Sequence, residues 1–157
     1  MIRTALFLIA CCGIACGGSA LASDQAIRET ARHSNLSIAD VQTGIKRCDE
    51  NQFALNLCAN YEFIKSDIEL NQEYAKLIAR KDERNVEQLR SAQRVWVRLR
   101  DLGCVYESSD LEGGSLRPAV KLACMRRMTD ERIEWMREML SCTSVAGECR
   151  SASRVRK

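Results

Sequence analysis

Ala92-Gln93-Arg94-Val95-Trp96-Val97-Arg98-Leu99-Arg100-Asp101-Leu102-Gly103-Cys104 is the stretch that decides the fold. Extended back to Val86 and Leu89, its apolar positions Val86, Leu89, Ala92, Trp96 and Leu99 recur at steps of three and four, the spacing of a helix with one buried stripe. Gly103 is placed to close that helix as a C-terminal cap. Trp96 and Arg100 stand one turn apart, so the guanidinium can lie against the indole or reach a carboxylate on a neighbouring helix. Trp96, Arg100 and Asp101 are therefore expected to build the fold, because Trp96 lies on the apolar stripe and a helix end needs its polar groups satisfied.

Two more helices flank this one. Ser66-Asp67-Ile68-Glu69 has the form of a capping box, and Ile68, Asn71, Tyr74, Ala75 and Ile78 follow at helical spacing, which predicts a helix from there to about Lys81. On the other side Pro118 suits a first helical turn, and Val120, Cys124, Met128, Ile133, Met136 and Leu140 carry an apolar face to about Ser141. A short helix is expected between Cys48 and Cys58, and another from Ser37, with Ile38, Val41 and Ile45 on one face. The fold class that results is all-α, a small antiparallel helical bundle stapled by disulfides. One Pro and eight Gly in 157 residues leave little turn chemistry for an all-β alternative.

The ends differ from this core. Arg3, an apolar stretch from Ala5 to Cys16, and Ala20-Leu21-Ala22 before Ser23 have the order of an export signal, so residues 1–22 are read as a signal peptide. A second parse, after Gly13-Ile14-Ala15, places a lipid on Cys16. Residues 23–46 form a polar N-terminal extension whose first dozen residues are expected to be a flexible lead. Removal of residues 1–22 leaves 135 residues and six cysteines, an even number in a chain bound for an oxidising compartment. Six cysteines allow 15 connectivities. Nearest-neighbour pairing is adopted: Cys48 with Cys58, Cys104 with Cys124, and Cys142 with Cys149, the last closing a hairpin in residues 143–157 ahead of a basic tail, Arg150 to Lys157. The lone histidine, His33, and the lack of a CxxC pair speak against a metal site, and no cofactor is expected.

Residues 48–140, within the domain assigned to residues 47–142, resemble the LprI family of bacterial lysozyme inhibitors. Cys48 and Cys58, then Asp67-Ile68-Glu69-Leu70-Asn71 with Tyr74, look like its opening cysteine pair and D-x-x-L-N-x-x-Y helix. The 92–104 stretch is similar to its A-Q-x-x-W-x-x-x-R-D-x-x-C signature, and Gly113-Gly114-Ser115, Cys124 and Thr129-x-x-Arg132 follow in order. The resemblance implies a periplasmic or envelope protein with lysozyme as its partner. The alternative is a non-catalytic adaptor that holds another envelope protein or the wall, with the basic tail as a peripheral contact.

Catalysis finds no support, because no nucleophile motif is present and His33 lies in the polar lead. With 24 basic and 21 acidic residues the charge is too balanced for a nucleic-acid binder. The segment Val105 to Leu116 is distinct, carrying three acids and no base between two cysteines. It supplies the candidate partner-binding set: Tyr106, Glu107, Asp110, Glu112, Gly113, Gly114 and Ser115, with Arg117 beside it. Acidic side chains there would steer a cationic lysozyme, and Arg117 would pair with a carboxylate of the enzyme's cleft.

The first expected outcome concerns the cysteines. Thiol counting on denatured, unreduced residues 23–157 should return about zero free thiols. Two or more would break the three-disulfide assignment.

Overall fold

A computed structural model describes residues 17–141; within it the side chains of residues 17–21 are left aside. The described chain is helical throughout, in the order α1 (Gly17–Ser34), α2 (Ile38–Gly44), α3 (Gln52–Ile78), α4 (Glu83–Glu107) and α5 (Arg117–Ser141), with a 3-10 turn at Ser109–Leu111 before α5. Cys48 is bonded to Cys58 and Cys104 to Cys124, two of the three expected pairs. The third, Cys142 with Cys149, lies outside the described residues, as do the basic tail, Cys16 and the start of the export signal.

Helix α3 is one 27-residue rod, not a short helix followed by a longer one. Its N-cap is Asn51, whose side-chain oxygen accepts from the Ala54 N–H at 2.9 Å. Ser66, expected to start a helix, sits four turns in and is buried, donating its hydroxyl to Asp130 Oδ1 on α5 at 2.6 Å. The buried apolar positions of this rod are Ala54, Leu57, Cys58, Ile64, Leu70 and Leu77, so the core line runs through Leu70 and Leu77, and Asn71 and Ala75, which the sequence pattern puts on the apolar face, point to solvent.

Helix α4 also departs from expectation. Asp82 caps it, accepting from the Asn85 N–H at 2.9 Å, and that bond holds the Asp82 carboxyl below its usual range. The cap is present at neutral pH and is lost as pH falls through the depressed value. Gly103 does not end α4, which continues to Glu107. No atom crowds a side chain at that glycine, so the backbone passes through it as ordinary helix. Leu99 and Ala92 are exposed, and the inward face consists of Val86, Leu89, Gln93, Trp96, Val97, Arg100 and Cys104.

The expected flexible lead is also helical. In α1 the small residues Ala26, Thr30 and Ala31 are buried, and Thr30 donates its hydroxyl to the Ala26 carbonyl at 2.8 Å. Ala31 joins Val41 and Leu57 in a cluster that also takes in Ile27, Leu36 and Ile45. Asn35, at φ 54°, ends α1 in the left-handed conformation, and the Leu36 N–H reaches back to the Ala31 carbonyl at 3.0 Å, a Schellman closure.

Helices α3 and α5 run in the same direction with α4 opposed to both. Asn56 meets Ser115, Ser66 meets Asp130 and Arg80 meets Leu140 along the first pair, while Cys104 meets Cys124 and Gln93 meets Arg132 along α4 and α5. Leu70, Leu77, Ile133 and Met136 form the main core, with Trp96 and Trp135 packed against it. Among the described residues no helix is long and apolar enough to cross a membrane.

This core line separates two leucines. Leu70→Ala should cost about 2–5 kcal/mol because a buried cavity opens, whereas Leu99→Ala should stay within about 0.5 kcal/mol. Urea unfolding of both variants checks the pair; equal losses would put Leu99 back in the core.

Candidate functional site

Helix α4 carries both the polar centre of the protein and its most exposed apolar surface. On the inner side Arg100 is buried, its side chain 7% exposed. Nη1 donates to Asp67 Oδ1 of α3 at 2.8 Å and to Thr129 Oγ1 of α5 at 3.1 Å, while Nε donates to Asp101 at 3.0 Å. Thr129 in turn donates to the Met125 carbonyl at 2.7 Å, so its oxygen is oriented to accept from Arg100. The guanidinium lies 5.1 Å from the Phe63 ring and 5.3 Å from that of Trp96. Arg132 extends the stack, 5.5 Å from Trp96 and 4.1 Å from Trp135. Its Nε donates to Gln93 Oε1 at 3.2 Å, and burial lowers its pKa from the usual arginine value. Two cations thus alternate with three aromatic rings across α3, α4 and α5.

On the opposite side of α4, Val95, Leu99, Leu102 and Tyr106 are 70%, 61%, 59% and 81% exposed. Steps of four, three and four put them on one face, since residues so spaced stack along a helix. Arg98 flanks this stripe and makes no ion pair among the described residues. Sequence periodicity puts Leu99 in the core and does not single out Val95 and Leu102, although their spacing with Leu99 and Tyr106 is the signal of this outer stripe.

The stripe leads into the segment named from sequence. Tyr106 belongs to the last turn of α4, and the Cys104–Cys124 bond ties that turn to α5. Glu107 accepts from Arg127 at 2.8 Å and Glu112 from Arg117 at 3.2 Å, so two of the three acids already face a cation and Arg117 is engaged within its own segment. Asp110 has no ion pair among the described residues and lies in the 3-10 turn. Gly113, at φ 76°, takes a backbone conformation that side chains disfavour, followed by Gly114. The Ser115 carbonyl accepts from the Asn56 amide at 3.1 Å, which anchors the segment to the start of α3. The structure therefore brings Tyr106 and Asp110 to an open surface and folds Glu107, Glu112 and Arg117 into local pairs. His33 is exposed on α1, and the described residues contain no group of three side chains able to hold a metal.

These features define a class: a small, disulfide-stapled, all-α module organised around a buried arginine. The chain belongs to the LprI family, whose model, described as lysozyme inhibitor LprI, matches residues 46–136. That family is one of inhibitors, not of catalysts. A relative from Rhizobium meliloti (strain 1021), named uncharacterized protein R02472, is 27% identical over 103 residues, covering 57% of this chain and 74% of its own length. No solved structure matches the chain.

Removing the central cation should be costly. Arg100→Ala leaves Asp67 without its partner in a half-buried position, and the loss in urea unfolding should be about 3–5 kcal/mol. Arg100→Lys should recover only part of it, because one ammonium cannot span Asp67 and Thr129 while lying against two rings. A loss below about 1 kcal/mol for the alanine variant would contradict a central role.

Proposed function

We propose that this is an exported, non-catalytic protein that binds lysozyme and inhibits it, protecting the wall of its own cell. The observation that carries the reading is the outer face of α4, an apolar stripe with no partner within the described chain, in a family of lysozyme inhibitors. Contiguous exposed apolar side chains on a small domain are a common mark of a protein-binding surface. Tyr106 and Arg98 are the residue types that most often anchor such contacts.

A c-type lysozyme is a cationic enzyme with two catalytic carboxylates in a cleft. In this reading Arg98 faces such a carboxylate, the role the sequence suggests for Arg117, which instead pairs with Glu112. Asp110, with Glu107 and Glu112 behind it, supplies the steering charge of the neighbouring segment. The apolar stripe carries affinity and the acids carry association rate. Export rests on the pattern of residues 1–22, and periplasmic or envelope placement follows from that.

The test is inhibition of wall lysis by purified residues 23–157, against c-type, g-type and i-type lysozymes in turn. Leu99→Asp and Tyr106→Ala should each weaken inhibition about tenfold or more, equal to about 1.4 kcal/mol, with the unfolding midpoint nearly unchanged. Changing Glu107, Asp110 and Glu112 together to their amides should slow association at low salt and matter less as salt rises. Failure to inhibit all three enzyme types, or cleavage of the wall by the protein alone, would overturn the proposal.

A further inference from the structure

We propose a second site, independent of lysozyme: the cleft between α3 and α4 binds a short peptide through its carboxylates. Helix α4 packs along α5 and reaches α3 through Arg100, at Phe63 and Asp67, and a cleft lined by both helices opens beside that contact. The opening has a volume of about 430 Å³, within the range of small-ligand sites. Arg90, Gln93, Arg94 and Arg100 line it from α4, and Asn71 and Tyr74 from α3.

Donor and acceptor accounting defines the ligand. Gln93 Oε1 accepts from Arg132, which leaves the amide N–H groups of Gln93 for the cleft. Arg100 engages Nε and Nη1, and its Nη2 has no partner among the described residues. Asp67 is the one carboxylate in the lining, and both its oxygens are taken, Oδ1 by Arg100 and Oδ2 by the Asn71 amide at 3.3 Å. What remains is dominated by donors, three guanidinium groups and the Gln93 N–H groups, with the Asn71 Oδ1 and the Tyr74 hydroxyl as neutral acceptors and one neutralised acid. An acceptor-only anion complements that set, and a carboxylate matches an arginine fork in two parallel bonds.

Glu87 touches Arg94 at 3.3 Å and Arg90 at 3.9 Å, but all three side chains are more than half exposed. Such surface pairs are weak, and an incoming carboxylate can exchange with Glu87. Leu70, Val97 and the Tyr74 ring give the cleft an apolar lining, which favours a peptide over a bare inorganic anion.

Calorimetric titration with N-acetyl-triglutamate tests this, with N-acetyl-triglutamine amide as the neutral counterpart. The acidic peptide should bind saturably, more weakly as salt rises, and the neutral one should not bind. Arg90→Gln combined with Arg94→Gln should weaken binding about tenfold or more, the loss of one or two charge-assisted bonds. Gln93→Glu, which sets a carboxylate in the ligand's place, should abolish it. Both variants keep every core side chain, and their unfolding midpoints serve as the control. Leu99→Asp should bind the peptide as wild type does, which separates this site from the lysozyme surface. Equal binding of the neutral peptide, equal competition by acetate, no saturable binding, or unchanged binding by the two variants would each overturn the assignment.

Discussion

A guanidinium taken out of water is costly unless every direction in which it can donate or polarise is answered. Arg100 meets most of that demand with groups from three helices, Asp67 and the Phe63 ring on α3, Asp101 and the Trp96 ring on α4, and Thr129 on α5, and only its Nη2 is without a partner among the described residues. The requirement fixes rotation as well as position. With Arg100 inward, residues three, four and seven away on the same face, Val97, Trp96, Cys104 and Gln93, must follow it, and Val95, Leu99, Leu102 and Tyr106 are turned out. The buried cation and the unpartnered apolar stripe are two sides of one constraint.

The covalent bonds act at the ends of this arrangement. Cys104 lies one turn beyond Arg100, and its bond to Cys124 holds the end of α4 against α5 where the apolar core has thinned to Met125, Phe63 and Met128. Cys48–Cys58 performs the same service at the start of α3, beside the cluster that gathers α1 and α2. Net stability is a small remainder of large opposing terms, and such local closures add to it by constraining the unfolded chain. The segment between Cys104 and Cys124 is therefore anchored at both ends, and its glycines are the place where backbone conformation is free to turn.

Much of this was legible in the sequence. The helical class and the apolar face of α5 through Cys124, Ile133 and Met136 follow from spacing and residue type, and the nearest-neighbour choice among 15 pairings agrees with the two described disulfides. The failures share a cause, which is that tertiary partners decide what a local pattern means. Ser66 followed by Glu69 has the form of a helix start, but its hydroxyl bonds Asp130 from another helix, a partner 64 residues away. Gly103 has the composition of a helix end, yet nothing near it forces the chain to stop. The polar lead before Ser37 fully buries only Ala26, Thr30 and Ala31 among its described side chains, too small to register as an apolar stripe, while Ile27 and Leu36 pack half-buried against the Val41 and Leu57 cluster. Leu99 and Arg100 exchange the positions that their polarity suggests, because rings and carboxylates give an arginine an interior site that hydrophobic periodicity does not anticipate. The candidate segment was found by its charge, but the pairing of Glu107 with Arg127 and of Glu112 with Arg117 depends on helix ends meeting in space.

The account therefore stands on which face of α4 is free to meet another protein. The most direct measurement is methyl NMR of residues 23–157, labelled at Leu and Val, titrated with unlabelled c-type, g-type and i-type lysozymes in turn. The account expects resonance changes at Val95, Leu99, Leu102 and Val105, with Leu70 and Leu77 of the core undisturbed. A bound complex that leaves the α4 methyls unchanged, or that perturbs the core methyls first, would contradict it.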